Sequence, residues 1–136
     1  MYEITEHDDR VELLVEDVDQ QALFREFCVA LGDVLTDAGG GTPVTHEVQL
    51  RAEGGEELIT RWAQELIRLA EEEGFLGERL EKERLEGSSF SARVAGVTGL
   101  PREQIRDLLI RDVELTRLDD GAWTVRATFD TGEPQS

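Results

Sequence analysis

The sequence predicts an α+β fold in which two main helices pack on a mainly antiparallel sheet. Three observations carry that prediction. Two segments, one after Asp19 and one after Gly54-Gly55, repeat their apolar residues every three or four positions; both ends of the chain alternate apolar and polar residues; and no β-α-β rhythm recurs. At 136 residues the chain suits one domain, placed at 1–131. A chain of that size buries roughly 68% of its unfolded surface, enough for an ordinary core. Gly132-Glu133-Pro134-Gln135-Ser136 reads as a flexible C-terminal tail.

Tyr2-Glu3-Ile4-Thr5-Glu6-His7 opens as a strand. After the acidic turn His7-Asp8-Asp9-Arg10, Val11, Leu13 and Val15 alternate with Glu12, Leu14 and Glu16, which predicts a hairpin. Asp19 is a plausible N-cap for a helix whose apolar stripe is Leu23, Phe24, Phe27, Cys28, Leu31, Val34 and Leu35, ending near Thr36-Asp37. Cys28 is the single cysteine and lies on that stripe, so a buried, inert thiol is expected and an internal disulfide is impossible. Ala38-Gly39-Gly40-Gly41-Thr42-Pro43 follows a helix and lacks the lysine and spacing of a phosphate-cradling loop, so it reads as a connector.

Val44, His46, Val48 and Leu50 alternate with Thr45, Glu47, Gln49 and Arg51 in a third strand, where His46 is expected as a satisfied, half-buried residue rather than a ligand. Leu58, Ile59, Trp62, Ala63, Leu66, Ile67, Leu69 and Ala70 mark the second helix, which Gly74 caps. Its last turn, Glu71-Glu72-Glu73, puts three carboxylates at the negative end of the helix dipole, which points to a solvated terminus, the favoured reading, or to a positive neighbour. From Phe75 to Val97 two strands are expected, although Leu76, Leu80 and Leu85 follow neither period while Phe90, Ala92 and Val94 alternate cleanly. Pro101 is placed to open a short helix carrying Ile105, Leu108 and Leu109. Val113 and Leu115 begin a strand that turns at Asp119-Asp120-Gly121 into the last one. In that strand Trp123, Val125, Ala127 and Phe129 share one face, so Asp130 leaves on the wet side.

Asp and Glu outnumber Lys and Arg by 31 to 14, giving a formal charge of −17, and Lys82 is the only lysine. Such a field repels phosphate backbones, so direct nucleic-acid binding is not expected and any RNA has to be held by a partner. A basic protein partner suits the acidity, and so does a saline cytoplasm. No apolar run is long enough to cross a bilayer and the start of the chain is polar, so a cytoplasmic protein with no membrane contact is expected. His7 and His46 are the only imidazoles and the one cysteine is apolar in context, so no catalytic triad or zinc set has candidates, and the chain is not expected to be an enzyme. One arrangement stands above the acidic background. The turn after the first strand and the end of the last strand can both supply oxygens to a hard cation, Ca²⁺ or Mg²⁺/Mn²⁺, from Asp130, the backbone carbonyl of Thr131, and Asp8 or Asp9.

Five features in order, spread over nearly the whole chain, resemble the archease family. They are the Tyr2-Glu3 start leading to Glu6-His7, the helix from Ala22 to Asp37, the helix with Leu58-Ile59, Trp62 and Glu65-Leu66-Ile67, the exit Glu73-Gly74-Phe75-Leu76, and the close Gly121-Ala122-Trp123 to Phe129-Asp130. The resemblance implies a fold with a strand-helix-strand-strand insert and metal-ligating aspartates at the two chain ends. It also implies an accessory role, promoting guanylylation and turnover of an RtcB-type RNA ligase in tRNA splicing or RNA repair. The chain departs from the family in two places. Where the family continues Glu-His with Thr-Ala-Asp, Glu6-His7 is followed by Asp8-Asp9-Arg10, so Arg10 stands at the ligand position. Where the penultimate strand of the family reads Lys-Ala-Val-Thr-Tyr-His, this chain has Arg111-Asp112-Val113-Glu114-Leu115-Thr116. These departures define the alternative, an archease-fold protein-binding module that has lost the metal site and the ligase-activating role. The oligomeric state is left open.

Overall fold

A computed structural model describes residues 1–37 and 39–131; the tail expected at 132–136, and Ala38 of the connector, lie outside the described residues. The elements run β1 (Tyr2–His7), β2 (Arg10–Asp17), α1 (Gln20–Leu35), β3 (Thr42–Arg51), α2 (Gly55–Glu73), β4 (Leu76–Glu86), β5 (Ser89–Thr98), a 3₁₀ turn (Arg102–Gln104), β6 (Leu109–Arg117) and β7 (Trp123–Asp130). The strands form two sheets rather than the one expected, with orders β1-β2-β7-β6 and β3-β5-β4, and every pairing is antiparallel. The inserted segment β3-α2-β4-β5 thus builds a sheet of its own between the strands that make the other.

That partition explains α1. Asp19 caps it as expected, its carboxylate accepting from the Ala22 N–H at 2.8 Å. Ten of its sixteen residues are buried, including Ala22, Ala30 and Gly32 beyond the expected stripe. A helix apolar around most of its girth has neighbours on more than one side. Here α1 touches β1, β2 and β7 of one sheet and β4 of the other, while α2 touches β6 of the first sheet and all three strands of the second. Both helices therefore tie the two sheets together.

The core gathers where they meet. Phe24 of α1 stacks on Phe90 of β5 at 4.2 Å between centroids, and Trp62 of α2 meets Phe90 edge-on at 5.1 Å. The buried indole N–H of Trp62 donates to the Phe24 carbonyl at 3.0 Å, so the largest core side chain leaves no orphaned donor. Val11, Leu13, Val15, Val125, Ala127 and Phe129 close the same cluster from β2 and β7.

β4 shows why its apolar period is irregular. Its register against β5 slips between Gly77 and Arg79 and again between Glu81 and Arg84, where Lys82 has a positive φ of 55°. Leu80 faces Val94 and Leu85 faces Phe90, so five steps on β4 match four on β5. At the other end of the strand Gly77 lies opposite Gly96, and a Cβ on Gly96 would sit 1.9 Å from the Leu76 carbonyl oxygen. A Cβ on Gly32 of α1 would meet Leu76 Cδ1 at 3.3 Å. Close approach of three backbones is what these glycines permit.

Two further expectations need correction. The segment after Pro101 makes only the 3₁₀ turn. The Arg106 N–H donates to the Leu35 carbonyl at 2.8 Å, which holds the chain out of a helix while Ile105 and Leu108 still reach the core; Leu109 already belongs to β6 and is 62% exposed. For the carboxylates ending α2 the structure favours the second of the two readings, a positive neighbour, over solvation alone: Glu71 lies 4.0 Å from Arg102 and Glu72 3.0 Å from Arg68, while Glu73 lies 3.3 Å from His46. The two arginines offset part of the repulsion from the helix dipole. Gly74 terminates α2 at a φ of 64°, as expected of a left-handed cap.

Candidate functional site at the meeting of the chain ends

β2 and β7 are central neighbours, and their pairing brings the first turn of the protein against its last described residues. Arg10 is the direct cross-strand partner of Asp130. The β1–β2 hairpin turns on two residues, Asp8 and Asp9, with His7 opposite Arg10, and Asp8 adopts a φ of 45°. Aspartate tolerates that left-handed conformation better than most residues. Thr131, 7% exposed, fastens the two ends together: its N–H donates to the Asp9 carbonyl at 3.0 Å and its hydroxyl donates to the same oxygen at 3.3 Å.

Of the four residues expected to hold a cation, the structure places Asp8, Asp9, Asp130 and Thr131 in one corner. Of the expected ligand oxygens, those of Asp130 are already engaged. The Asp130 carboxylate accepts from the Arg111 guanidinium at 2.7 Å, and the Asp9 carbonyl accepts both donors of Thr131. The side chains of Asp8 and Asp9 are exposed in the turn. Across the wet face of the four-stranded sheet, register aligns His7, Arg10, Asp130 and Leu109 in one row, with Arg111 reaching in from the next position of β6. A hard cation at Asp130 would have to displace Arg111 and sit across from Arg10, so the donor set as folded does not fit one.

Arg111 is the site residue that sequence reasoning missed. It falls in a register slip of β6 between Ile110 and Asp112, which pair with Phe129 and Thr128. A bulge of this kind re-aims a side chain without moving the rest of the strand to the other face. The faint sequence signal is that the apolar alternation of β6 begins only at Val113, two residues after Arg111. Arg126 in the centre of the same face lies 3.4 Å from Glu12 and 3.8 Å from Glu114, so charged pairs lace the sheet.

The second departure from the family pattern, Glu114-Leu115-Thr116, has a structural use. A Cβ on Gly55 would come within 2.6 Å of Leu115 Cδ2, so Leu115 packs flat on the first turn of α2. The Leu115 N–H donates to Glu56 at 3.0 Å, which covers part of the open β6 edge. Cys28 is 2% exposed and burial pushes its thiol up to about 12, in keeping with an inert core residue. His46 is half-buried, beside Glu73 and edge-on to Phe75 at 4.5 Å, as a satisfied structural histidine. Among the described residues no helix is long and apolar enough to cross a membrane.

The sequence model of the Archease protein family (MTH1598/TM1083) matches residues 2–131. Among solved structures, the solution structure of Methanobacterium thermoautotrophicum protein 1598 is similar, with a TM-score of 0.69 and 17% identity over 95% of this chain and 97% of that one. At that identity the likeness speaks for the fold. None of the curated proteins matches the chain.

Proposed function

The chain belongs to the archease family, and from that premise we propose that it is a non-catalytic accessory protein that promotes guanylylation and turnover of an RtcB-type RNA ligase in tRNA splicing or RNA repair. The observation that carries this reading is the extent of the family match, which runs from β1 through the last strand and takes in both chain ends. The charge supports the division of labour. A surface at −17 does not hold an RNA backbone, so the ligase binds the RNA and this protein binds the ligase, its acidic field speeding encounter with a basic face of the partner in the cytoplasm. The absence of a supported nucleophile or general base in the sequence agrees with a role exerted through contact.

The test is a single-turnover guanylylation assay with the ligase from the same source, at a salt concentration where that ligase is active. Stimulation at substoichiometric amounts of this protein is the expected result, and a rate unchanged by equimolar protein rejects the reading.

A second reading has its own observation. The Arg111–Asp130 pair and the use of Leu115 against α2 favour an archease-fold module that serves another protein partner. Absence of any complex with the ligase by sedimentation, at micromolar concentrations of both, favours this second reading over the first.

A further inference from the structure

We propose that in this protein the Arg111 guanidinium takes the place of an ion at the chain-end corner, which therefore works with a fixed internal cation and binds no divalent metal. Three independent features of the corner converge on this. The β6 bulge aims Arg111 at Asp130, and the pair closes at 2.7 Å with Asp130 only 29% exposed. Arg10 is the cross-strand partner of Asp130 and has no ion-pair partner within 4 Å among the described residues, so it adds a positive charge to the row where a cation would need a carboxylate. The Asp9 carbonyl accepts both the N–H and the hydroxyl of Thr131, which fixes the two chain ends on which the corner is built.

A hard cation needs six or more oxygens, several of them anionic, and is repelled by neighbouring guanidiniums. The corner offers one engaged carboxylate between two arginines, with Asp8 and Asp9 turned out in the hairpin tip. A guanidinium in this position differs from an ion in one functional respect. It cannot dissociate, so the corner keeps one charge state at any free calcium or magnesium level.

The proposal concerns metal binding alone and is tested without the ligase, so it stands or falls separately from the reading above. The natural chain, ¹⁵N-labelled, is titrated with MnCl₂ while amide signals are followed. The expected result is diffuse broadening over the acidic surface, with the amides of Asp9, Arg10, Asp130 and Thr131 no more affected than the rest. Saturable broadening centred on those four amides and lost in Asp130→Asn would overturn it. The double variant Arg10→Asp/Arg111→Ala is expected to acquire selective broadening at the corner, at a Mn²⁺ concentration at least tenfold lower than any seen there in the natural chain, and to lose it again when Asp130→Asn is added. A double variant that keeps a dispersed spectrum yet binds as diffusely as the natural chain also overturns the proposal. Should the double variant not fold, the titration of the natural chain decides alone.

Discussion

Replacing Gly96 by alanine measures how closely the inserted sheet is packed. The added Cβ lies 1.9 Å from the Leu76 oxygen, 2.9 Å from the Leu76 carbonyl carbon and 3.0 Å from Gly77 Cα, all backbone atoms that no rotamer change can move aside. β4 and β5 must part by roughly 1 Å to restore ordinary contact. β4 has little room to retreat, because Leu76 is wedged against α1 beside Gly32. Overpacking a tight site costs 1–3 kcal/mol, and an obstacle made of backbone places this case at about 3 kcal/mol. With an unfolding entropy of about 2.1 cal/mol/K per residue, a chain of this length changes Tm by roughly 3.5 °C per kcal/mol, so Gly96→Ala is expected to melt about 10 °C early. Thermal unfolding followed by far-UV circular dichroism, with the urea midpoint as a second reading, checks the size. Gly39→Ala is the control: its Cβ meets nothing within 4 Å and it is expected to be neutral or more stable by about 0.4 kcal/mol. A Gly96→Ala protein melting within about 2 °C of the natural chain would refute the close approach of the two strands.

Three other outcomes follow from the same geometry. Asp19→Ala removes the acceptor for the Ala22 N–H and is expected to cost about 1 kcal/mol, whereas Asp19→Asn keeps most of it; equal melting temperatures for the two variants would dismiss the cap. The Cys28 thiol, raised from 9.0 to about 12 by burial, binds its proton more tightly in the folded chain than in the unfolded one. Its contribution is therefore complete below pH 9 and lost as pH climbs towards 12, at up to roughly 1.4 kcal/mol per pH unit; Cys28→Ala should show a shallower alkaline decline in urea titrations, and identical slopes would count against it. Self-repulsion at −17 predicts that Tm rises by several degrees between low salt and 0.5 M NaCl, and a flat profile would mean that the ion pairs already balance the field.

Much of this fold could be read from residue spacing where one residue type has one physical reason to be in place. Asp19, Gly74 and the Asp119-Asp120-Gly121 turn each mark a boundary by local chemistry, and the structure places each where the spacing puts it. The alternation of Val11, Leu13 and Val15, and of Val125, Ala127 and Phe129, identifies two strands with one buried face each. Strand partners are another matter. Nothing in the period of β3 or β5 says that they leave the sheet of β2 and β7, since an apolar face serves either sheet equally; only the unusually wide burial of α1, through Ala22, Ala30 and Gly32, hints at two. Bulges hide most completely. Those in β4 scramble the spacing of Leu80 and Leu85, and the one in β6 turns Arg111 onto Asp130, a contact that a strict period of two does not anticipate. The encounter of Asp8-Asp9 with Asp130-Thr131 is legible in outcome but comes about by another route than the pairing of terminal strands, since β2 lies between β1 and β7 and brings the hairpin turn to the end of β7; the guanidinium beside Asp130 is not legible.

The position of β7 between β2 and β6 has a consequence for how the protein is born. Synthesis delivers β3, α2, β4 and β5 as a contiguous stretch, so the three-stranded layer can assemble while translation continues. The N-terminal hairpin has to wait with one flank of β2 bare until Asp130 clears the ribosome. At 5–20 residues per second that interval is on the order of ten seconds. During it Val11, Leu13 and Val15 present an open, apolar ribbon, and Glu12 and Glu16 between them place like charges along the bare strand, which discourages edge-to-edge pairing of two such chains.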